Sequence, residues 1–271
     1  MKPAAFDYAK PASAADAVKL LAAGEGGAKV IAGGQSLGPM LNLRLARPQL
    51  LVDVRRIPEL NEVRQTPGGF FVGSCVTHAA IEDGAVPDFT RGLMKKVAGG
   101  IAYRAVRNQG TLGGSVCHAD PAADWISAML LLSAVAIVEG PAGRAEIGFD
   151  RFVTGPFSTQ LDPAQILVGL RVPGVSEHAR WSYCKFCRKP GEFAEAIGAL
   201  LRDDRSGTCR AVIGGGSARP RVIEDAWFIA ERYDPERVAA ALESADGTDD
   251  RCEAQLRSAV LGRAASQLAA A

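Results

Sequence analysis

The sequence predicts an α+β fold. Strand-like and helix-like segments alternate along it, but without the strand–helix–strand regularity of a doubly wound parallel sheet. Of its 271 residues 48% are hydrophobic, enough for a substantial core and too many for disorder. Two glycine-paired segments stand out from this background: Ala32-Gly33-Gly34-Gln35-Ser36-Leu37-Gly38-Pro39, and Thr111-Leu112-Gly113-Gly114-Ser115.

Ser13 is placed to cap a first helix, with Asp16 three residues on as a variant of the capping box. That helix runs to Leu21 or Ala22 and stops at Gly24. Lys29 to Ala32 forms a short strand feeding the first glycine pair, and Leu37 to Leu45 begins as a short helix or turn. Leu50 to Val54, between Pro48 and Pro58, is a second strand. Phe70 to Ser74 is a strand after a Pro67-Gly68-Gly69 turn, Thr77 caps a short helix through Glu82, and Phe89 to Gly99 suggests another helix. The second glycine pair reads as a loop, followed by a helix led by Pro121 to Asp124 and apolar through Leu132. Val135 to Glu139 and Ala145 to Phe149 are strands joined by Gly140-Pro141-Ala142-Gly143, and Ile166 to Val172 is a further strand. Composition changes around Pro173 to Glu177, which places a domain boundary near residue 176. Beyond it Arg180 to Arg188, Glu192 to Arg202 and Thr208 to Gly214 read as strands with a short helix or strand between. Helical segments follow near Glu224 to Arg232, Pro235 to Glu243 and Asp250 to Leu268. There is no internal repeat.

The bulk properties exclude several classes. A formal net charge of +1, with 31 basic and 30 acidic residues, gives no footprint for nucleic acid or an anionic membrane. The longest apolar stretch, Trp125 to Val138, contains Ser127 and Ser133 and reads as a buried helix followed by a strand, so no transmembrane segment is expected. The first residues have no apolar region of a secretory signal, and a cytoplasmic location with reduced thiols follows. Cys184-x-x-Cys187 lies in a strand-like run and has no second pair to complete four ligands. The three histidines never fall at i, i+4 spacing, so no protein-bound metal is expected. No Ser/His/Asp arrangement is evident. His78 and His118 read as surface or cap residues, and no catalytic acid or base is assigned.

The glycine pairs suggest a cofactor. Glycine allows φ > 0 and close approach of a ligand, and successive N–H groups in such turns form anion-binding concavities. Two of them suggest a pyrophosphate held from two sides. Neither contains Lys or Arg, so backbone N–H groups with Gln35, Ser36, Thr111 and Ser115 would meet the phosphates. That suits a held dinucleotide better than a transferred phosphoryl group, which would want a Lys and Mg²⁺ ligands. The G-x-G-x-x-G fingerprint is absent. Gly214-Gly215-Gly216 lacks the spacing and reads as a tight turn or close backbone packing.

Ala32-Gly33-Gly34-Gln35-Ser36-Leu37, with Asn42-Leu43-Arg44-Leu45 behind it, resembles the first FAD loop of the medium subunit of molybdenum hydroxylases. This family includes carbon monoxide dehydrogenase and xanthine dehydrogenase. Arg107-Asn108-Gln109-Gly110-Thr111-Leu112-Gly113-Gly114-Ser115, continuing to Asp120-Pro121-Ala122-Ala123-Asp124, resembles its second loop. Gly155-Pro156-Phe157, Asp162 to Leu167, and Tyr183-x-Lys185-Phe186-x-Arg188-Lys189-x-Gly191-Glu192-Phe193-Ala194 match later family segments in order. The resemblance covers nearly the whole chain.

The resemblance implies a two-subdomain FAD-binding fold of the vanillyl-alcohol-oxidase (PCMH) type over 1–176, divided at about 56/57, and a small C-terminal domain over 177–271. It implies noncovalent FAD. Ile31, Ala32, Gly33, Gly34, Gln35, Ser36 and Leu37 would line one side of the cofactor, and Thr111, Gly113 and Gly114 the other. Asp124 would accept from a ribose hydroxyl, Ile166 or Leu167 and Lys185 would lie near the flavin, and Ile101 and Ala123 would also bind the cofactor. Phe193 would stack on the isoalloxazine. It further implies an electron-transfer role inside a heterotrimer, in dimers. A large subunit holds the molybdenum cofactor where substrate is hydroxylated, a small subunit holds [2Fe–2S] clusters, and FAD passes electrons to NAD⁺, a quinone or another acceptor. Read from the residues alone, without the resemblance, Asp124 is a helix N-cap and Phe193 core. The chain departs from the family at Glu192 (usually Asp), Lys189 (usually Arg) and Cys117 (commonly Ala). A stand-alone flavoprotein oxidoreductase on the same fold is the alternative, and a scaffold subunit that never cycles its flavin a third reading.

Overall fold

The computed structural model describes residues 2–243 and 251–270; Met1 and the expected helix start at Asp250 lie outside them. The chain opens with a three-residue strand, β1 (Asp7–Ala9), that the sequence pattern does not mark. Ser13 then caps α1 (Ala14–Ala23): its Oγ accepts the Asp16 N–H at 3.1 Å, and its hydroxyl donates to the Asp16 carboxylate at 2.7 Å. β2 (Ala28–Ile31), α2 (Leu37–Asn42) and β3 (Leu50–Asp53) follow. β1 and β2 both pair in parallel with β3. The short β1 is pinned there by its own Tyr8, whose hydroxyl donates to buried Asp53. Burial raises the Asp53 carboxyl, but the Arg55 guanidinium at 2.8 Å and the Tyr8 hydroxyl outweigh it and hold Asp53 well below the usual carboxylate range.

A 3-10 turn at Pro58–Asn61 leads to the hairpin β4 (Val63–Thr66) and β5 (Gly69–Gly73). Thr77 caps α3 (His78–Glu82) by accepting the Ala80 N–H at 3.1 Å. The helix expected from Phe89 begins later, as α4 (Leu93–Gly99). Asp88 accepts the N–H groups of Thr90 and Gly92, which folds residues 88–92 into a turn before the helix can start. α5 (Arg104–Arg107), α6 (Leu112–His118) and α7 (Asp124–Leu131) complete a helical layer. The second glycine pair is therefore not a loop: Gly113 and Gly114 sit in the first turn of α6. Every residue of α7 is buried, the polar Asp124 and Ser127 included. β6 (Val135–Gly140) and β7 (Gly143–Gly148) form the expected hairpin. α8 (Phe149–Phe152), the small ribbon β8 (Val153–Gly155) with β9 (Ser158–Thr159), and β10 (Ile166–Val172) follow. The second sheet is antiparallel, in the order β4-β5-β10-β6-β7.

β11 (Arg180–Phe186), β12 (Ala196–Asp203), β13 (Thr208–Gly214) and the short β14 (Arg221–Ile223) make a third, antiparallel sheet in chain order. β12 starts at Ala196 rather than Glu192, because residues 187–195 leave the sheet as a loop. Gly214 ends β13, and the glycines after it show the close backbone packing expected of the run: Gly215 stands at φ +85°, and a Cβ there would lie 2.7 Å from the Ala196 Cα. α9 (Trp227–Glu231), α10 (Pro235–Glu243) and α11 (Arg251–Ala270) close the chain. Alternating residues of the third sheet face two different cores. Ile197, Ala199, Leu201 and Val212 join Trp125 and Met129 of α7, while Leu200, Ala211 and Ile213 pack with Leu261 and Ala264 of α11. α7 thus belongs to one continuous core shared by the second and third sheets. The mixture of one small parallel sheet, two larger antiparallel sheets and the β8–β9 ribbon is α+β, as the sequence predicts.

Candidate cofactor site

The two glycine motifs meet although Gly33 and Gly113 lie on different elements. A Cβ built on Gly33 would fall 2.0 Å from the Gln109 carbonyl oxygen and 2.9 Å from the Gly110 Cα. One built on Gly113 would fall 2.3 Å from the Ser74 Cβ. Glycine is required at both positions for backbone approach, not for φ: of these four glycines only Gly34 has positive φ, at +70°. The second motif is clamped by the segment before α3. Gly113 N–H donates to Ser74 O, Leu112 N–H to Val76 O and His78 N–H to Gly110 O, each at 2.9 Å.

This clamping divides the labour between the motifs in a way the sequence does not reveal. Besides the bonds of Leu112 and Gly113, Gly114 N–H donates to Thr111 Oγ1 and Ser115 N–H to Thr111 O, both at 3.0 Å. The second motif therefore has its amides at 112–115 committed, with only the Thr111 N–H without an acceptor among the described residues, and is no open nest; Thr111 serves as the N-cap of α6. The first motif is different. The N–H groups of Gly34, Gln35 and Ser36 find no acceptor among the described residues, and Ser36 makes no capping bond. Three successive unpaired amides form a concavity suited to an anion.

These amides face a cavity of about 880 Å³, in the upper part of the range of roughly 300–1,000 Å³ for small-molecule and cofactor sites. Its wall contains every expected site residue: Ile31 to Leu37 from the first motif, Ile101, Thr111, Gly113 and Gly114, Ala123 and Asp124, Ile166 and Leu167 of β10, Lys185 of β11 and Phe193. Phe193, in the loop between β11 and β12, is 61% exposed, an aromatic face with nothing packed over it rather than a core residue. Glu192 lies beside it in the wall.

Several wall residues are not evident from sequence. His78, read as a surface or cap residue, is 4% exposed, and its Nδ1 accepts the Trp125 indole N–H at 3.0 Å. Burial lowers its pKa from 6.5 to about 4, helped by the Arg107 charge, so the ring is neutral near pH 7. His118 also lines the cavity, edge-on to Phe157 with ring centroids 5.3 Å apart. Cys117 lines it too, its thiol pushed up to about 12 by burial and so no thiolate. No local pattern marks these side chains; their partners are distant in sequence.

Asp124 is not an N-cap. It is the first residue of α7, and its carboxylate accepts from Lys185 Nζ at 2.8 Å and from the Tyr183 hydroxyl at 3.0 Å. Burial pushes this carboxyl up, while Lys185 and Tyr183 pull it back. The trio joins α7 to β11 at the wall. Cys184, on β11, has its thiol raised by burial, and no cluster of potential metal ligands occurs among the described residues. No helix among them is long and apolar enough to cross a membrane.

Residues 4–175 match the family described as FAD binding domain in molybdopterin dehydrogenase. The chain belongs to this family. It is 35% identical over 251 residues to the nicotine 6-hydroxylase medium subunit of Paenarthrobacter nicotinovorans, covering 90% of this chain and 87% of that one. It is 35% identical over 201 residues to the carbon monoxide dehydrogenase medium chain of Hydrogenophaga pseudoflava, covering 74% and 70%. A solved structure of carbon monoxide dehydrogenase from the latter organism, lacking the Mo-pyranopterin moiety of the molybdenum cofactor, superposes with a TM-score of 0.87 at 30% identity, covering 100% of this chain and 98% of that one. The chain is thus an FAD-binding oxidoreductase component of the molybdenum hydroxylase family, a medium subunit. The unpaired amide row, the volume and the exposed ring of Phe193 fit FAD.

Proposed function

We propose that this chain is the FAD-binding electron-transfer subunit of a heterotrimeric molybdenum-containing hydroxylase or dehydrogenase. Electrons enter from [2Fe–2S] clusters of a small partner subunit and leave to an external acceptor such as NAD⁺ or a quinone. Substrate is oxidised in a large molybdenum-cofactor subunit, and two heterotrimers form the working dimer in the cytoplasm. The observation that carries the reading is the row of unpaired amides at Gly34, Gln35 and Ser36 opening on a cavity that both glycine motifs line.

Bound FAD supplies one- and two-electron chemistry that no side chain offers. This chain's residues bind, orient and exclude water. The first motif's amides hold the diphosphate, with the hydroxyls of Ser36, Thr111 and Ser115 at hand. Asp124, fixed by Lys185 and Tyr183, accepts from a ribose hydroxyl with its remaining lone pairs. Ile101, Ile166 and Leu167 form an apolar flank, and Phe193 covers a flat ring. We assign the PCMH-type fold to 1–176, with subdomains 1–56 and 57–176, and a C-terminal domain to 177–271; the start of the third sheet at Arg180 supports that division.

Co-expression of the chain with its neighbouring large and small subunits tests the reading. The intact complex should bleach its flavin absorbance when substrate is added anaerobically and regain it with acceptor, while the isolated chain should turn over no small oxidisable substrate. Turnover by the isolated chain would favour a stand-alone flavoprotein. Flavin that is reduced by dithionite but never reoxidised by acceptor would favour the scaffold reading.

A further inference from the structure

We propose that His78 is a cofactor-binding residue whose Nε2–H donates a hydrogen bond to the diphosphate of the bound dinucleotide, with Trp125 as its positioning residue. The inference rests on the FAD reading above and deepens it. His78 is the first residue of α3, and its backbone is fixed by the Thr77 cap and by its N–H bond to Gly110 O. Its ring lies in the cavity wall and is 4% exposed.

The tautomer follows from the partner. The Trp125 Nε1–H can only donate, so the His78 Nδ1 that receives it carries no proton, and the neutral ring holds its proton on Nε2. Protonating Nδ1 would set two donors against each other at a buried site. Nε2–H finds no acceptor among the described residues. Nε2 is not among the sealed side-chain atoms left without a partner, so its N–H opens on the cavity and is free to meet a ligand there.

Its position gives it a task. A Cβ on Gly110 would come within 2.9 Å of Nε2, so the absence of a side chain there lets the ring edge rest against the start of the second motif. That motif has committed its own amides at 112–115 within the protein. On this side of the cavity the Thr111 amide is the one backbone donor of the motif without an acceptor among the described residues, and His78 adds a side-chain donor whose direction is fixed in advance. The first motif touches the same stretch, through Gly33 and Gln109. An anionic diphosphate lying against the open amides of Gly34 to Ser36 meets Nε2–H from the other motif's side.

Two measurements on the full chain, freed of flavin and then titrated, test this. The chain has three histidines, so ¹⁵N-histidine labelling gives a simple ring spectrum, assigned by loss of one set in His78→Gln. We expect His78 to show a bare Nδ1 and a protonated Nε2 throughout. Its Nε2–H proton should move downfield on adding FAD or ADP, and not on adding adenosine. His78→Phe should weaken FAD by about tenfold or more, while His78→Gln, whose amide donates at a similar reach, should stay within about threefold. An Nε2–H signal unmoved by FAD, or equal losses in His78→Gln and His78→Phe, would overturn the inference and leave the FAD reading intact. Failure of the wild-type chain to bind FAD at all would overturn that reading as well. If His78→Phe does not fold, the wild-type ring spectrum decides alone.

Discussion

A single methyl group at Gly33 is expected to disable the site. Built on the Gly33 backbone, it would sit 2.0 Å from the Gln109 carbonyl oxygen and 2.7 Å from its carbon, where ordinary contact begins near 3.4 Å. Those atoms are backbone, so no side chain can swing away. The two motifs must instead part by about 1.4 Å, which displaces the open amides from the wall they face. Overpacking of this kind costs about 3 kcal/mol, at the upper end of its range. Charged to the binding-competent state, that is roughly a hundredfold in the FAD dissociation constant. Gly34→Ala makes the contrast: its nearest neighbour would be Ile31 Cδ1 at 3.6 Å, and the penalty is the left-handed φ of +70°, about 1 kcal/mol or roughly fivefold. Gly38→Ala, inside α2 with no atom within 4 Å, should leave binding unchanged. Titration of the flavin-free chain with FAD, followed by flavin fluorescence, gives all three constants, and thermal unfolding checks that each variant folds. Binding by Gly33→Ala within threefold of wild type would refute the docking of the two motifs.

Further outcomes follow from the buried polar groups. His78 is held neutral in the fold, with its pKa lowered from 6.5 to about 4, so the unfolded chain takes up the proton first as pH falls. Stability should therefore be lost between pH 6.5 and 4 by about 3 kcal/mol at most, and His78→Gln should flatten that slope in urea unfolding; parallel slopes would contradict it. Asp53 acts in the same sense at lower pH: its folded-state pKa is also depressed, so its contribution is present above the ordinary carboxylate pKa of about 3.9 and fades below it, an acid limb that Asp53→Asn should remove. Lys185→Met leaves the Asp124 carboxylate buried without its cation and should destabilise the flavin-free chain by about 3–5 kcal/mol. Adding Asp124→Asn should restore much of that loss, and strict additivity of the two substitutions would show that the pair is not coupled.

Legibility from sequence followed the range of the interactions. Local chemistry was readable: the Ser13 cap of α1, the β6–β7 hairpin and β10 depend on residues a few positions apart. β1 and β14 are three residues each; β1 exists because β3, far along the chain, offers it a partner, and β14 because the chain folds back onto β13 just before it. α4 starts late because the Asp88 side chain competes for backbone donors. The glycine pair of α6 reads as a loop on helix propensity, yet only glycine fits where position 113 meets Ser74. Ordered motif resemblance found the wall of the cavity, because those residues occur in recognisable runs. It did not find that one motif offers open amides while the other has spent its own at 112–115, nor that His78 faces Trp125 at a separation of 47 residues. Such facts live in tertiary hydrogen bonding, which local patterns do not encode.

The claim that both motifs together hold FAD is tested most directly by counting flavin. The purified full chain, saturated with FAD and freed of excess, is denatured and its released flavin identified and quantified. One equivalent of intact FAD per wild-type chain is predicted, with little or none retained by Gly33→Ala combined with Gly113→Val although that variant remains folded. Stoichiometric FAD in the double variant, or none in the wild type, would contradict the account.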